Sequence, residues 1–70
     1  MEEIKNLLIY EFGTIDALSS RLRIKSQAVY NWFSRGRIPL KHLKEICYLS
    51  DGRLTKEMLR PDLFGENNGN

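Results

Sequence analysis

Apolar residues recur along this chain at the spacing of helix faces. Ile4, Leu7 and Leu8 are followed by Phe12, four positions after Leu8. This predicts a first helix, since at about 100° per residue these positions share one side. Glu2 and Glu3 suit its first turn, where carboxylates meet the positive end of the helix dipole, and Gly13 suits a left-handed stop. Ile9 and Tyr10 fall off the stripe and are expected to be partly exposed, available to a partner. Ala17, Leu18 and Leu22 form the inner face of a second helix, with Thr14 as N-cap and Asp16 in the first turn. Ser19 is small enough to let another helix approach. Between Leu22 and Ser26 there is room only for a tight turn, plugged by Ile24.

The next stretch, Lys25 to Ser34, reads as a third helix. Val29, Trp32 and Phe33 form its apolar stripe, while Gln27, Tyr30, Asn31 and Ser34 fall opposite. Helix, short turn, helix is the helix-turn-helix arrangement. Gly36 fits a C-terminal stop and Pro39 the first turn of a fourth helix, which carries Leu40, Leu43, Ile46 and Cys47 inward. Asp51-Gly52 signals a turn. Thr55 caps a short fifth helix, Lys56 to about Arg60, with Met58 and Leu59 offered to the core, and Pro61 ends it. Leu63 and Phe64 are expected to fold back, onto the domain or onto a second subunit. Residues 65–70 lack an apolar anchor and read as a disordered tail. The expectation is a single all-α domain over residues 1–64, of about five helices.

The outer face of the third helix carries the chemistry. Its amides and hydroxyls both donate and accept hydrogen bonds, where a merely solvated face would more often carry Glu and Lys. Such a face, bordered by cations, suits the base edges of a DNA major groove. Charge strengthens this reading. The net charge is only +2, yet seven of the eleven basic residues (Arg21, Arg23, Lys25, Arg35, Arg37, Lys41 and Lys44) lie in a run that no Asp or Glu interrupts. Acids flank it on both sides. A basic middle in a nearly neutral chain implies a one-sided field aimed at a polyanion.

Composition narrows the alternatives. Seventy residues, 41% hydrophobic and 29% charged, fit one small globular domain near the lower size limit for a self-sufficient core. The lone Cys47 excludes an internal disulfide and reads as a small buried apolar residue. With one histidine, His42, it leaves no zinc-ligand set, and no cofactor or metal is expected. His42 reads as a surface residue. Neither a signal peptide pattern nor an apolar run of transmembrane length is present, so a cytoplasmic protein without membrane contact is expected.

The run Gly13-Thr14, Ala17-Leu18-Ser19 and Leu22-Arg23-Ile24-Lys25-Ser26-Gln27-Ala28-Val29-Tyr30-Asn31-Trp32 resembles the helix-turn-helix of phage repressors and Cro proteins. Arg35-Gly36-Arg37-Ile38-Pro39, Gly52-Arg53-Leu54-Thr55 and Leu59-Arg60-Pro61-Asp62-Leu63-Phe64 resemble one branch, the Cro-like, YdaS-type prophage regulators. The likeness runs from Ile4 to Phe64. It implies a lambda-repressor-like fold and a transcriptional repressor on operator DNA. It also implies that the loop after the third helix and the start of the fourth lie along the phosphate backbone. Two positions depart from the pattern. Arg23 stands where the family's turn usually has Gly, at a position expected to need positive φ and to cost a non-Gly residue about 1 kcal/mol. Lys25 stands where the family favours a Ser or Thr cap, so that the cap passes to Ser26 or is lost.

These readings assign Ser26, Gln27, Tyr30 and Asn31 to base edges, with Ser26 and Tyr30 also suited to phosphates. Thr14, Arg23, Lys25, Ser34, Arg35, Arg37 and Lys41 are assigned to phosphates. A homodimer is expected, formed in solution or only on DNA, because one small helix-turn-helix spans too few base pairs to single out a genomic site. Two rival readings differ in class. One is a protein-binding module, such as the antitoxin of a toxin–antitoxin pair, using Ile9, Tyr10 and Leu59–Phe64. The other, an enzyme, finds no nucleophile–base set, paired carboxylates or phosphate-cradling loop in the sequence.

Overall fold

The computed structural model describes residues 2–65. The expected tail falls almost wholly outside them. The order of elements is α1 (Glu2–Phe12), α2 (Ile15–Leu22), α3 (Ser26–Arg35), α4 (Leu40–Leu49), α5 (Lys56–Leu59) and α6 (Pro61–Phe64). The all-α expectation holds, with one element more than anticipated. Pro61, which lacks an amide hydrogen, stops α5 and then opens a further helical turn, where that missing donor costs nothing.

Local signals set the boundaries. Gly13 ends α1 in the left-handed region, at φ 96°. Thr14 Oγ1 then accepts from the Ala17 amide at 3.0 Å and opens α2, and Thr55 Oγ1 does the same for Met58 at 3.3 Å. Pro39 takes the N-cap of α4, with extended backbone, rather than a place in its first turn.

Leu8, Ile15, Leu18, Leu22, Val29, Trp32, Ile38, Leu43, Ile46, Leu54 and Leu59 make one buried cluster. Trp32 is therefore scaffold, as its place on the inner stripe predicts. Ile4, Leu7, Phe12, Ile24 and Phe33 pack around the cluster half-buried, and Ile9 joins them although it lies off the α1 stripe. Ser50 is fully buried, and its hydroxyl bonds the Leu54 amide at 2.9 Å, holding the α4–α5 turn inward.

Several positions differ from the pattern-based expectation. Leu40 is 53% exposed rather than inward, because the first residue of α4 projects beyond the core layer. Met58 is also exposed, while its neighbour Leu59 is fully buried: a single helical turn cannot direct both inward. Phe64 folds back onto the core, but Leu63 faces out. Cys47 is half-buried, and burial pushes its thiol pKa up. His42 is half-buried against the Trp32 ring, with centroids 5.2 Å apart.

Candidate nucleic-acid interface

The site begins in the turn that leads into α3. Arg23 adopts φ 61°, ψ 41°, the left-handed conformation expected of a residue standing in for glycine. Its amide and that of Ile24 donate to the Ser20 and Ser19 carbonyls, at 3.1 and 3.0 Å, so the end of α2 is satisfied. Lys25 occupies the N-cap of α3 and makes no side-chain cap hydrogen bond. The cap does not pass to Ser26 either. Its hydroxyl turns toward α2, donating to Asp16 Oδ1 at 2.5 Å and lying 3.0 Å from Ser19 Oγ. A tie between helices replaces the missing local cap. Ser26 is thus half-buried and engaged, unlike the other residues assigned to base edges.

Gln27, Tyr30 and Asn31 stand exposed on the outer face of α3, with Ser34 one turn beyond. Gln27 Nε2 donates to Asn31 Oδ1 at 3.2 Å, which aligns the two amides along the helix. Gln27 Oε1 and the Asn31 amide N–H groups are left without a protein partner among the described residues. The pair therefore presents both an acceptor and donors outward. Tyr30 stands edge-on to the Phe33 ring, with centroids 6.3 Å apart and planes at 80°, and Lys5 Nζ lies 5.7 Å from the same ring. The inner stripe of the helix thereby also steers the outer tyrosine.

Gly36, at φ 81°, ends α3, with the Gly36 and Arg37 amides bonded to the Phe33 and Trp32 carbonyls. The chain then passes through buried Ile38 into α4. A shallow cleft of about 390 Å³ opens here, lined by Ala28, Asn31, Trp32, Arg35, Pro39, Lys41 and His42. It brings an amide of the outer face, two cations and the start of α4 together. The first amides of α4 have no side-chain cap and carry the positive end of the helix dipole. Thr14, Arg23, Lys25, Arg35, Arg37 and Lys41 are all exposed. Thr14 also serves as the α2 cap.

Charge is left available on this side. The two ion pairs among the described residues are Arg53–Glu11, at 2.6 Å, and Arg60–Asp62, at 2.7 Å. Neither uses a cation of the Arg21–Lys44 run. The hydrogen bonds of Arg53 hold Glu11 below the usual carboxylate range, and those of Arg60 do the same for Asp62, with a smaller pull from Arg37. Charge-based reading of the sequence singled out neither Arg60 nor Asp16, although both touch elements of the site. Their roles depend on contacts 22 and 10 positions away along the chain. The described residues contain no helix long and apolar enough to cross a membrane and no metal-ligating cluster.

The fold is shared with a solved structure, that of the Cro protein from putative prophage element Xfaso 1 in Xylella fastidiosa strain Ann-1. The two are 32% identical and superpose with a TM-score of 0.78, over 90% of this chain and 97% of that one. No curated protein matches the chain significantly. A family model described as bacterial toxin YdaS matches residues 6–68, from within α1 to beyond α6. The chain, Cro-like in fold and in its helix-turn-helix, belongs to the YdaS family.

Proposed function

We propose that this protein is a sequence-specific double-stranded DNA-binding regulator, a Cro-type repressor of a phage or prophage that places α3 in the major groove of operator DNA. One observation carries the reading: an exposed Gln27–Asn31 amide pair stands on a helix bordered by cations that form no ion pair among the described residues. Each amide matches adenine in both donor and acceptor, and Tyr30 beside them suits a thymine methyl or a phosphate. Arg23 and Lys25 at one end of α3, and Ser34, Arg35, Arg37 and Lys41 at the other, face the phosphates of the groove walls, with Thr14 at the start of α2. Ser26 contributes by holding the helix against α2 while remaining close to the backbone of the DNA. The protein binds rather than catalyses, and it acts in the bacterial cytoplasm, where the operator is.

Two copies bind together on this proposal, through the segment from Tyr48 to Phe64, because α2 and α3 are engaged elsewhere. Tyr48 is 82% exposed and Leu63 52%, which supports a covered face there. Operator half-sites then lie about one helical turn, roughly 34 Å, apart. Footprinting on the DNA flanking its own gene tests both points. Two protected half-sites at that spacing, lost as salt rises, support the reading, and a single half-site saturating at one protein per site removes the dimer. A second reading draws on the family's description as a toxin and on Tyr10, 90% exposed on α1. In it the chain engages a partner protein, as one half of a toxin–antitoxin pair. Salt-insensitive capture of a protein partner, with no DNA binding, would favour that reading instead.

A further inference from the structure

Arg60 is the one charged residue that the described chain buries, at 7% exposure. Its Nε and Nη2 donate to the two Asp62 carboxylate oxygens, at 2.9 and 2.7 Å. Its Nη1 donates to the Ile38 carbonyl at 3.0 Å, 22 positions earlier in the chain. Ile38 is itself fully buried and lies between Arg37 and Pro39, hence between the last cation of the α3–α4 loop and the start of α4.

An ion pair whose carboxylate is 59% exposed adds little stability, and burying the guanidinium costs desolvation, so stability alone does not call for an arginine here. What an arginine adds is direction. Its planar fork meets a carboxylate on one edge and keeps a further N–H for a third acceptor, a geometry that lysine cannot reproduce. The acceptor chosen is one backbone carbonyl of the loop that carries the cations. We propose that Arg60, held by Asp62, is a positioning residue for DNA binding: it pins the Ile38 carbonyl and so aims Arg37 and the first amides of α4 at the phosphates. This rests on the DNA-binding reading.

The test combines amide hydrogen exchange with DNA titration in the full chain. Arg60→Met removes the pin and keeps an apolar stem, Arg60→Lys keeps the charge without the fork, and Asp62→Asn weakens the hold from an exposed position. Each is measured with and without Arg37→Ala, on footprinted operator DNA and on random DNA, across a salt series. Exchange over residues 35–41 should rise about tenfold in Arg60→Met and Arg60→Lys, and affinity for both DNAs should fall about tenfold. Arg37→Ala should lower affinity clearly in the unaltered protein and lower the salt slope by about 0.9, yet change little once Arg60 is Met. An equal Arg37→Ala effect in both backgrounds, with only the melting temperature lowered by Arg60→Met, would overturn the proposal. If Arg60→Met does not fold, Asp62→Asn decides by the same pairing with Arg37→Ala. Absence of salt-dependent DNA binding by the unaltered protein would remove the functional reading alone, and the loop's exchange rates would still show whether Arg60 orders it.

Discussion

The two ends of α3 reach the same backbone solution with opposite residues. At the entrance, α2 closes on a left-handed Arg23, with its own amide and the next one returning to the Ser20 and Ser19 carbonyls. At the exit, α3 closes on a left-handed Gly36 with the same pair of returning bonds, to Phe33 and Trp32. Glycine adopts this conformation freely, whereas arginine does so at a cost of about 1 kcal/mol. The entrance also lacks a side-chain cap, because Lys25 stands where Ser or Thr would serve. Both departures put a cation beside the helix, where a phosphate would lie on the DNA-binding reading. The entrance is held by tertiary contacts instead: the tie from Ser26 to Asp16, and Ile24 packed against the core. At the exit the turn follows local preference, and the loop beyond it is fixed by a distant arginine.

Mirror substitutions break this comparison most directly. Gly36→Ala should destabilise by roughly 1–2 kcal/mol in thermal or urea denaturation. The cost is conformational, because nothing stands within 4 Å of the added methyl group. An unchanged midpoint would mean that the exit turn relaxes to another form. Next in size is Asp16→Ala, which removes the tie that replaces the α3 cap and should cost about 1 kcal/mol, reduced from the usual charged hydrogen bond because the site is exposed. Asp16→Asn should recover part of it; equal losses in the two variants would point to the α2 dipole rather than the tie. Arg23→Gly should act in the opposite sense, raising stability by up to about 1 kcal/mol, less the entropy that a freer glycine adds to the unfolded chain. A clear loss of stability would show that the arginine side chain, not its backbone, matters there.

The smallest effect concerns pH. Bonding to Arg53 lowers the folded-state pKa of Glu11. Its contribution is therefore fully present above the unfolded carboxylate value and is lost as pH falls through the lower folded one. Since the Arg53 side chain is 63% exposed, solvent screens the pair and the contribution is small. The melting temperature should decline as pH drops below the usual carboxylate range, and Glu11→Gln should flatten part of that decline. An identical pH profile in Glu11→Gln would remove Glu11 from the account.

The helices were legible wherever the signal was local. Apolar spacing located α1 to α4, Thr14 and Thr55 marked starts, and Gly13 and Gly36 marked ends, as the backbone bears out. The positive φ at Arg23 was legible too, through the family resemblance rather than through the residue. Spacing could not show which apolar residues lack a neighbour. Leu40 and Met58 lie on plausible inner stripes, yet nothing packs fully over them at the ends of their short elements. The outer face of α3 was readable as a pattern, but the Gln27–Asn31 bond and the inward turn of Ser26 depend on rotamers and on α2. Arg60 was the hardest to see. A charged residue beside a proline reads as surface until its partners are known, and one of them is a backbone carbonyl from another element.

The division of work between amides and cations is the central claim, and one set of isotherms tests it. Gln27→Ala and Asn31→Ala should each cost roughly 1–3 kcal/mol on the operator and much less on random DNA, leaving the salt slope of log K nearly unchanged. The pair is bonded, so the double substitution should cost less than the sum of the two. Lys41→Ala, as the contrast, should weaken binding to both DNAs alike and lower the slope by about 0.9. Equal loss of affinity for operator and random DNA in Gln27→Ala and Asn31→Ala would contradict the account, because the outer face of α3 would then not be what reads the sequence.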